Sequence, residues 1–147
     1  MPFIRRLKIF LCHSSKDKPQ VAKLYDTLLK KGADPWLDSE KLLPGQDWNF
    51  EINKALDDSD VILVCLSKGS VDKEGYVQRE IRLALDRALE MPEGRIFLIP
   101  GKLEECDLPR RLHAYQWVDL FTQHGIEKLT QALNLRAGQV GAGLLST

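Results

Sequence analysis

Short apolar runs alternate with stretches in which apolar residues recur every three or four positions, and this alternation organises the whole 147-residue chain. Leu7-Lys8-Ile9-Phe10-Leu11-Cys12 predicts a first strand, followed by a polar turn from His13 to Lys18. Pro19 suits the first turn of a helix, where its missing N–H has no bond to lose, and Val21, Leu24 and Leu28 carry that helix to a stop at Gly32. Ala33 to Asp38 reads as a short second strand. A loop with Pro44 and Gly45 then leads to Asp47, a side chain able to cap a helix whose apolar face is Trp48, Ile52, Ala55 and Leu56. Val61 to Leu66 is continuously apolar, as expected of a central strand covered on both faces. Val77, Ile81, Ala84, Leu85 and Ala88 form the stripe of the next helix, closed by Pro92 and Gly94. Ile96 to Pro100 predicts a fourth strand, residues 101–114 read as irregular, Tyr115 to Val118 as a short edge strand, and Gly125 to Leu135 as a last amphipathic helix.

Strands alternating with helices in this way are joined by right-handed crossovers into a parallel sheet. The expected fold is α/β and flavodoxin-like: three layers, α/β/α, with five parallel strands in the order 2-1-3-4-5 and a crevice above the carboxyl ends of strands 1 and 3. The loops 13–18 and 67–75 are expected to frame a site there. The stretch Ala137-Gly138-Gln139-Val140-Gly141-Ala142-Gly143 is small and glycine-rich without an apolar period. Residues 137–147 are therefore expected to be a linker toward another domain of a longer protein, with 1–136 as the folded domain. The G-x-x-G-x-G spacing in this tail is no nucleotide fingerprint, because no strand precedes it and no helix follows.

Composition narrows the partners. Lysine plus arginine and aspartate plus glutamate both number 21, so no global field steers the chain toward nucleic acid or an anionic membrane. No apolar run approaches the roughly 18 residues of a membrane span, and the arginines at positions 5 and 6 precede no signal-peptide core, so a cytoplasmic location is expected. Cys12, Cys65 and Cys106 are odd in number and widely spaced, which argues against a disulfide framework and a zinc site, and no metal is expected.

The site decides among the chemistries this architecture hosts. A phosphate-accepting receiver domain needs aspartates at the ends of strands 1 and 3, where this chain has Cys12-His13-Ser14 and Leu66-Ser67. A flavin or phosphate-loop site needs glycine after the first strand, and 13–18 has none. Neither a G-x-S-x-G elbow nor an H-x-x-x-H pair occurs. What remains is Tyr76 and Glu80, four residues apart on one helical face beside the buried stripe, presenting an aromatic ring and a carboxylate together.

The chain resembles a TIR (Toll/interleukin-1 receptor) domain of the kind common in bacteria, across roughly residues 7–134. Four blocks carry the resemblance: Ile9 to Asp17, like the family's first box; Trp36 to Gly45, like its second strand and BB loop; Val61 to Ser67 with Gly69 and Ser70, like its central strand and turn; and Tyr76-Val77-Gln78-Arg79-Glu80, like its aromatic-x-x-x-Glu motif. Members of the family are either NAD-cleaving enzymes or assembly modules, and the enzymes require the glutamate that stands here at Glu80. The motif departs from the usual tryptophan in having Tyr76, which keeps an aromatic face.

The resemblance implies an NAD+ glycohydrolase that cleaves the nicotinamide–ribose bond to give ADP-ribose or a cyclic isomer, used in bacterial defence or as an effector. NAD+ is then substrate and no cofactor is needed. A carboxylate facing the ribose stabilises the oxocarbenium-like transition state, and because the nicotinamide leaves neutral no second acid is demanded. Glu80 is the expected catalytic group; Phe10, Ser14, Ser15, Lys16, Trp48 and Tyr76 are the expected substrate contacts, with Lys16 toward the diphosphate. Trp36 is read as packing, and Asp38 and Lys41 as ordering the loop. Lys41, Leu42, Leu43, Pro44 and Gly45 are the expected assembly loop, through which other copies of the domain would activate the enzyme by homo-oligomerisation. The alternatives are a non-catalytic assembly module and an enzyme acting on another nucleotide or nucleic acid.

Overall fold

The computed structural model describes residues 4–71 and 79–147 and, at Glu80, the backbone alone. Five parallel strands, β1 (Lys8–Cys12), β2 (Asp34–Trp36), β3 (Val61–Leu66), β4 (Phe97–Lys102) and β5 (Val118–Asp119), form one sheet in the order β2-β1-β3-β4-β5. The helices are α1 (Lys18–Lys30), α2 (Asp38–Lys41), α3 (Trp48–Asp58), α4 (Arg79–Glu90) and α5 (Gln123–Val140). The order and the parallel pairing are those the alternating pattern implies.

The pleat explains the layers. Successive side chains of β1 and β3 point to opposite faces, and Ile9 pairs with Val61 in a register that runs to Cys12 and Val64. Ile9, Leu11, Leu63 and Cys65 meet Val21, Leu24 and Leu28 of α1 and Leu129, Leu133 and Ala137 of α5. Phe10, Ile62, Val64 and Leu66 meet Ala55 and Leu56 of α3 and Ile81, Ala84, Leu85 and Ala88 of α4. All six residues of β3 are buried, the burial its unbroken apolar run requires.

Several boundaries differ from the sequence reading. Chain direction changes earlier after β2, because Asp38 starts the single turn α2 where a strand end and loop were expected. β4 runs two residues past Pro100; that proline fits because β5 pairs only with Gly101 and Lys102, so no ladder bond is asked of its missing N–H. β5 lies at 118–119 rather than 115–118. Thr122 caps α5 by accepting from the Gly125 N–H at 2.8 Å, and Gly125 packs so closely on the Asp119 carbonyl that a Cβ would stand 1.6 Å from its oxygen.

The segment 137–147 is not the linker that its glycines implied. α5 continues through Gly138 to Val140 and ends at Gly141, whose φ of 71° is the left-handed cap conformation that glycine favours. Ala142 and Leu145 then return to the core, with Leu145 N–H donating to Asn134 Oδ1 at 2.7 Å and Ser146 N–H to the Lys31 carbonyl at 2.9 Å. The glycines masked a continuing helical period of Leu129, Leu133 and Ala137.

At the amino end of the sheet, buried Asp60 receives both guanidinium nitrogens of Arg5 at 2.8 and 2.9 Å and the Lys8 N–H at 2.9 Å. Arg136 Nε donates to the Asp60 carbonyl, which ties α5 to the start of β3.

A candidate active site at the carboxyl ends of the strands

A cavity of about 310 Å³ opens over the carboxyl ends of β1 and β2, between α3 and α4. Phe10 and Trp36, side by side on adjacent strands, stack with ring centroids 4.9 Å apart and planes inclined by 10°, and both rings line the cavity. Trp48, the first residue of α3, stays 41% exposed and adds a third aromatic wall. Leu83 and Ala84 bring α4 to the same space. Polar groups on the rim and floor are His13, Ser15, Lys18 and Asp38.

The turn after β1 explains which of these face inward. Ser14 is buried and its Oγ accepts from the Lys16 N–H at 3.4 Å, capping a 3-10 turn over Ser15–Asp17. Asp17 is buried by that turn and its Oδ2 accepts from Ser67 Oγ at 2.8 Å, while the Ser67 N–H donates to Ser70 Oγ at 2.8 Å. The loops after β1 and β3 are thus tied together. Among the described residues, however, the cavity lies over β1 and β2 rather than between β1 and β3, and residues 67–71 do not line it.

His13 is only 7% exposed, and burial pushes its pKa below the ordinary value of 6.5; attraction to Asp38, a hydrogen bond with the Leu11 backbone and the charge of Asp17 raise it but are outweighed, and Lys18 lowers it further. The ring is therefore neutral near pH 7. Its Nε2 has no hydrogen-bond partner among the described residues and stands 3.9 Å from Asp38 Oδ1.

The expected contacts fall into distinct groups. Phe10, Ser15 and Trp48 line the cavity; Ser14 is buried in its cap and does not, and Lys16 is exposed, its stem lying near Gly69. Lys18, one step after the turn, borders the cavity although it too is exposed. Glu80 lies in the first turn of α4, one helical turn before Ala84. Tyr76 lies outside the described residues. Trp36 both packs and lines, while His13, Lys18, Asn49 and Asn53 were not singled out as contacts from the sequence. A signal existed for the asparagines: both lie on the face that Trp48, Ile52 and Leu56 extend.

The loop between these walls is a tight turn. Pro44 and exposed Gly45, with φ of 91°, occupy the central positions of a type II turn closed by the Gln46 N–H on the Leu43 carbonyl at 3.1 Å. The Leu43 N–H donates to Gln46 Oε1 at 2.7 Å, and Leu43 is 66% exposed. Lys41 is exposed at the end of α2 and Leu42 is half-buried.

Among the described residues no cluster of three or more His, Cys, Asp or Glu side chains could hold a metal ion. Among them, too, no helix is long and apolar enough to cross a membrane. Cys12 and Cys65 are buried thiols outside any disulfide, and burial raises the Cys65 thiol far above its ordinary value.

The profile of the TIR domain matches residues 9–133. Among solved structures, the chain is similar to the TIR domain of the Toll-related receptor TRR-2 from the lower metazoan Hydra magnipapillata, with 18% identity, a TM-score of 0.68, and coverage of 85% of this chain and 96% of that one. It is similar to a prokaryotic SEFIR domain, with 19% identity, a TM-score of 0.63, and coverage of 88% and 92%. It also resembles the TIR domains of the activated Roq1 resistosome, which directly recognises the pathogen effector XopQ, with 23% identity, a TM-score of 0.55, and coverage of 65% and 57%. No curated protein matches.

Proposed function

The chain belongs to the TIR domain family, whose members are NAD-cleaving enzymes or signalling scaffolds, and within it we propose that this protein is an NAD+ glycohydrolase activated by self-assembly. The observation that carries the reading is the aromatic-walled cavity at the carboxyl ends of β1 and β2, whose α4 wall, Leu83 and Ala84, begins one helical turn after Glu80. A scaffold would need the exposed turn but not this concavity.

In the proposed reaction the C1′–N bond of the nicotinamide riboside breaks, its electron pair leaves with neutral nicotinamide, and water adds at C1′ with loss of a proton to give ADP-ribose. Attack by an adenine nitrogen in place of water gives a cyclic isomer. The Glu80 carboxylate stabilises the positive charge that develops on the ribose. Phe10, Trp36 and Trp48 supply flat apolar surface for the rings, and Lys18, in the position expected of Lys16, faces the diphosphate. The exposed turn at Leu43, Pro44 and Gly45 meets a neighbouring copy, in a cytoplasmic role in bacterial defence or as an effector.

The test is nicotinamide release from NAD+ by the purified protein across a range of protein concentrations. Release that rises faster than linearly with protein supports an assembly-activated enzyme; no release at any concentration leaves the scaffold reading.

A further inference from the structure

Among the described residues two buried side-chain nitrogens lack a hydrogen-bond partner, Arg87 Nε and His13 Nε2. Arg87 is already engaged through Nη2, which donates to Asp57 at 2.8 Å. His13 is different, because its unpartnered atom belongs to a ring more than nine-tenths buried that lines the cavity. The neutral ring holds one proton, and with that proton on Nδ1 the Nε2 atom carries a bare lone pair. Opposite it stands the Asp38 carboxylate, whose Oδ1 accepts from the Ser39 N–H at 2.7 Å.

In that tautomer two acceptors face one another across 3.9 Å, near enough for one group placed between them to reach both at about 2.9 Å. That group must bring two hydrogens. A hydroxyl brings one, a ring carbonyl brings none, and a carboxylate adds charge repelled by Asp38. Among the groups a ligand carries, an –NH2 brings two on one atom. The stacked Phe10 and Trp36 rings and the half-exposed Trp48 make the adjoining walls flat and apolar, which favours an aromatic ring over a sugar diol as the bearer of that group.

We infer that His13 and Asp38 form a two-acceptor clasp for the –NH2 of a flat heteroaromatic ring, and that this clasp selects which end of the dinucleotide enters the cavity; the identity of the ring rests on the proposed cleavage of NAD+. Two groups in NAD+ have this chemistry, the carboxamide of nicotinamide and the amino group of adenine. The clasp makes His13 and Asp38 specificity-determining residues without a part in bond breaking.

The experiment is calorimetric titration, in a Glu80→Gln background that keeps the ligand intact, with NAD+, nicotinic acid adenine dinucleotide and nicotinamide hypoxanthine dinucleotide. The analogue lacking the engaged –NH2 is expected to bind about ten- to a hundredfold more weakly, and the other like NAD+. A penalty on the acid assigns the nicotinamide end to the clasp, and a penalty on the hypoxanthine assigns the adenine end. Adding Asp38→Asn, whose amide can donate, should bring the penalised analogue to within about threefold of NAD+. His13→Phe, which keeps a ring and loses the acceptor, should weaken NAD+ binding at a near-normal melting temperature. Equal binding of all three dinucleotides, or discrimination that survives Asp38→Asn, overturns the clasp. The same titration of the unmodified protein with free nicotinamide, nicotinic acid, adenine and hypoxanthine separates the two claims. A preference for the –NH2 ring without any cleavage of NAD+ keeps the clasp and removes the enzyme, whereas cleavage with indifferent binding does the reverse.

Discussion

Two buried polar groups at opposite ends of the parallel sheet, Asp60 and His13, are treated in opposite ways. At the amino end Asp60 is closed in by Arg5 and the Lys8 N–H, and Arg136 reaches the carbonyls of Asp60 and Arg95, so donors and acceptors meet within the fold. At the carboxyl end His13 Nε2 is left without a partner among the described residues, beside a carboxylate and a cavity. A polar network that is complete stabilises the fold, while a buried group left open is one that a molecule entering the cavity can satisfy. Ligands of open α/β sheets sit above the carboxyl ends of the strands.

The largest expected effect lies at the closed end. Asp60→Ala strands the Lys8 N–H and removes the bidentate partner of Arg5; since Arg5 is half-exposed the loss should be about 2 to 3 kcal/mol in urea unfolding. Burial alone would raise the pKa of Asp60, but the Arg5 hydrogen bond, the Lys8 N–H and the charges of Arg5 and Arg136 hold it below its ordinary value. A depressed carboxylate stabilises the fold above its unfolded pKa of about 3.9, and that contribution disappears as pH falls toward the folded value. The variant should therefore show a shallower loss of stability in acid. A loss under about 0.5 kcal/mol would mean the amino end is not the anchor that its geometry describes.

The open end should respond at a different pH and more weakly. His13 has a folded pKa below the unfolded value of about 6.5, so below that value the unfolded chain takes up a proton that the folded chain refuses. Stability is fully present above about pH 6.5 and declines as pH drops toward the folded value. Melting temperature measured from pH 7.5 to 5 should decline in the unmodified protein and stay flatter in His13→Gln, whereas identical curves would show that burial of this ring does not govern its titration.

The smallest effect on stability is expected at the exposed turn. Leu43→Asp should change unfolding free energy by no more than about 0.5 kcal/mol, because the side chain is 66% exposed, while abolishing the steep dependence of activity on protein concentration. A head-to-tail contact uses two different patches, so mixing this variant with Glu80→Gln should restore part of the activity that neither has alone. Full activity of Leu43→Asp by itself would remove the turn from assembly.

The layers and strand order were legible because the apolar run of β3 and the spacing of Val21, Leu24 and Leu28 leave one way to bury both faces of a sheet. The carboxyl end was legible only in part. Of the expected substrate contacts, Phe10, Ser15 and Trp48 line the cavity, while after the three-residue 3-10 turn it is Lys18 rather than Lys16 that borders it, a difference that residue type does not reveal. His13 reads as part of a polar turn, yet it is buried directly after β1. The tail deceived for a compositional reason: glycine lowers helix propensity without forbidding a helix that buries Leu133 and Ala137.

The central claim, that the open end of the sheet is a site for cleaving NAD+ through Glu80, is tested most directly by measuring binding and turnover on the same Glu80→Gln sample. Replacing the carboxylate by its neutral isostere should leave NAD+ affinity within about threefold of the unmodified protein and lower nicotinamide release by about a hundred- to a thousandfold, the usual cost of one preorganised electrostatic stabiliser. Release within about threefold of the unmodified protein, from a variant that folds and binds normally, would contradict it.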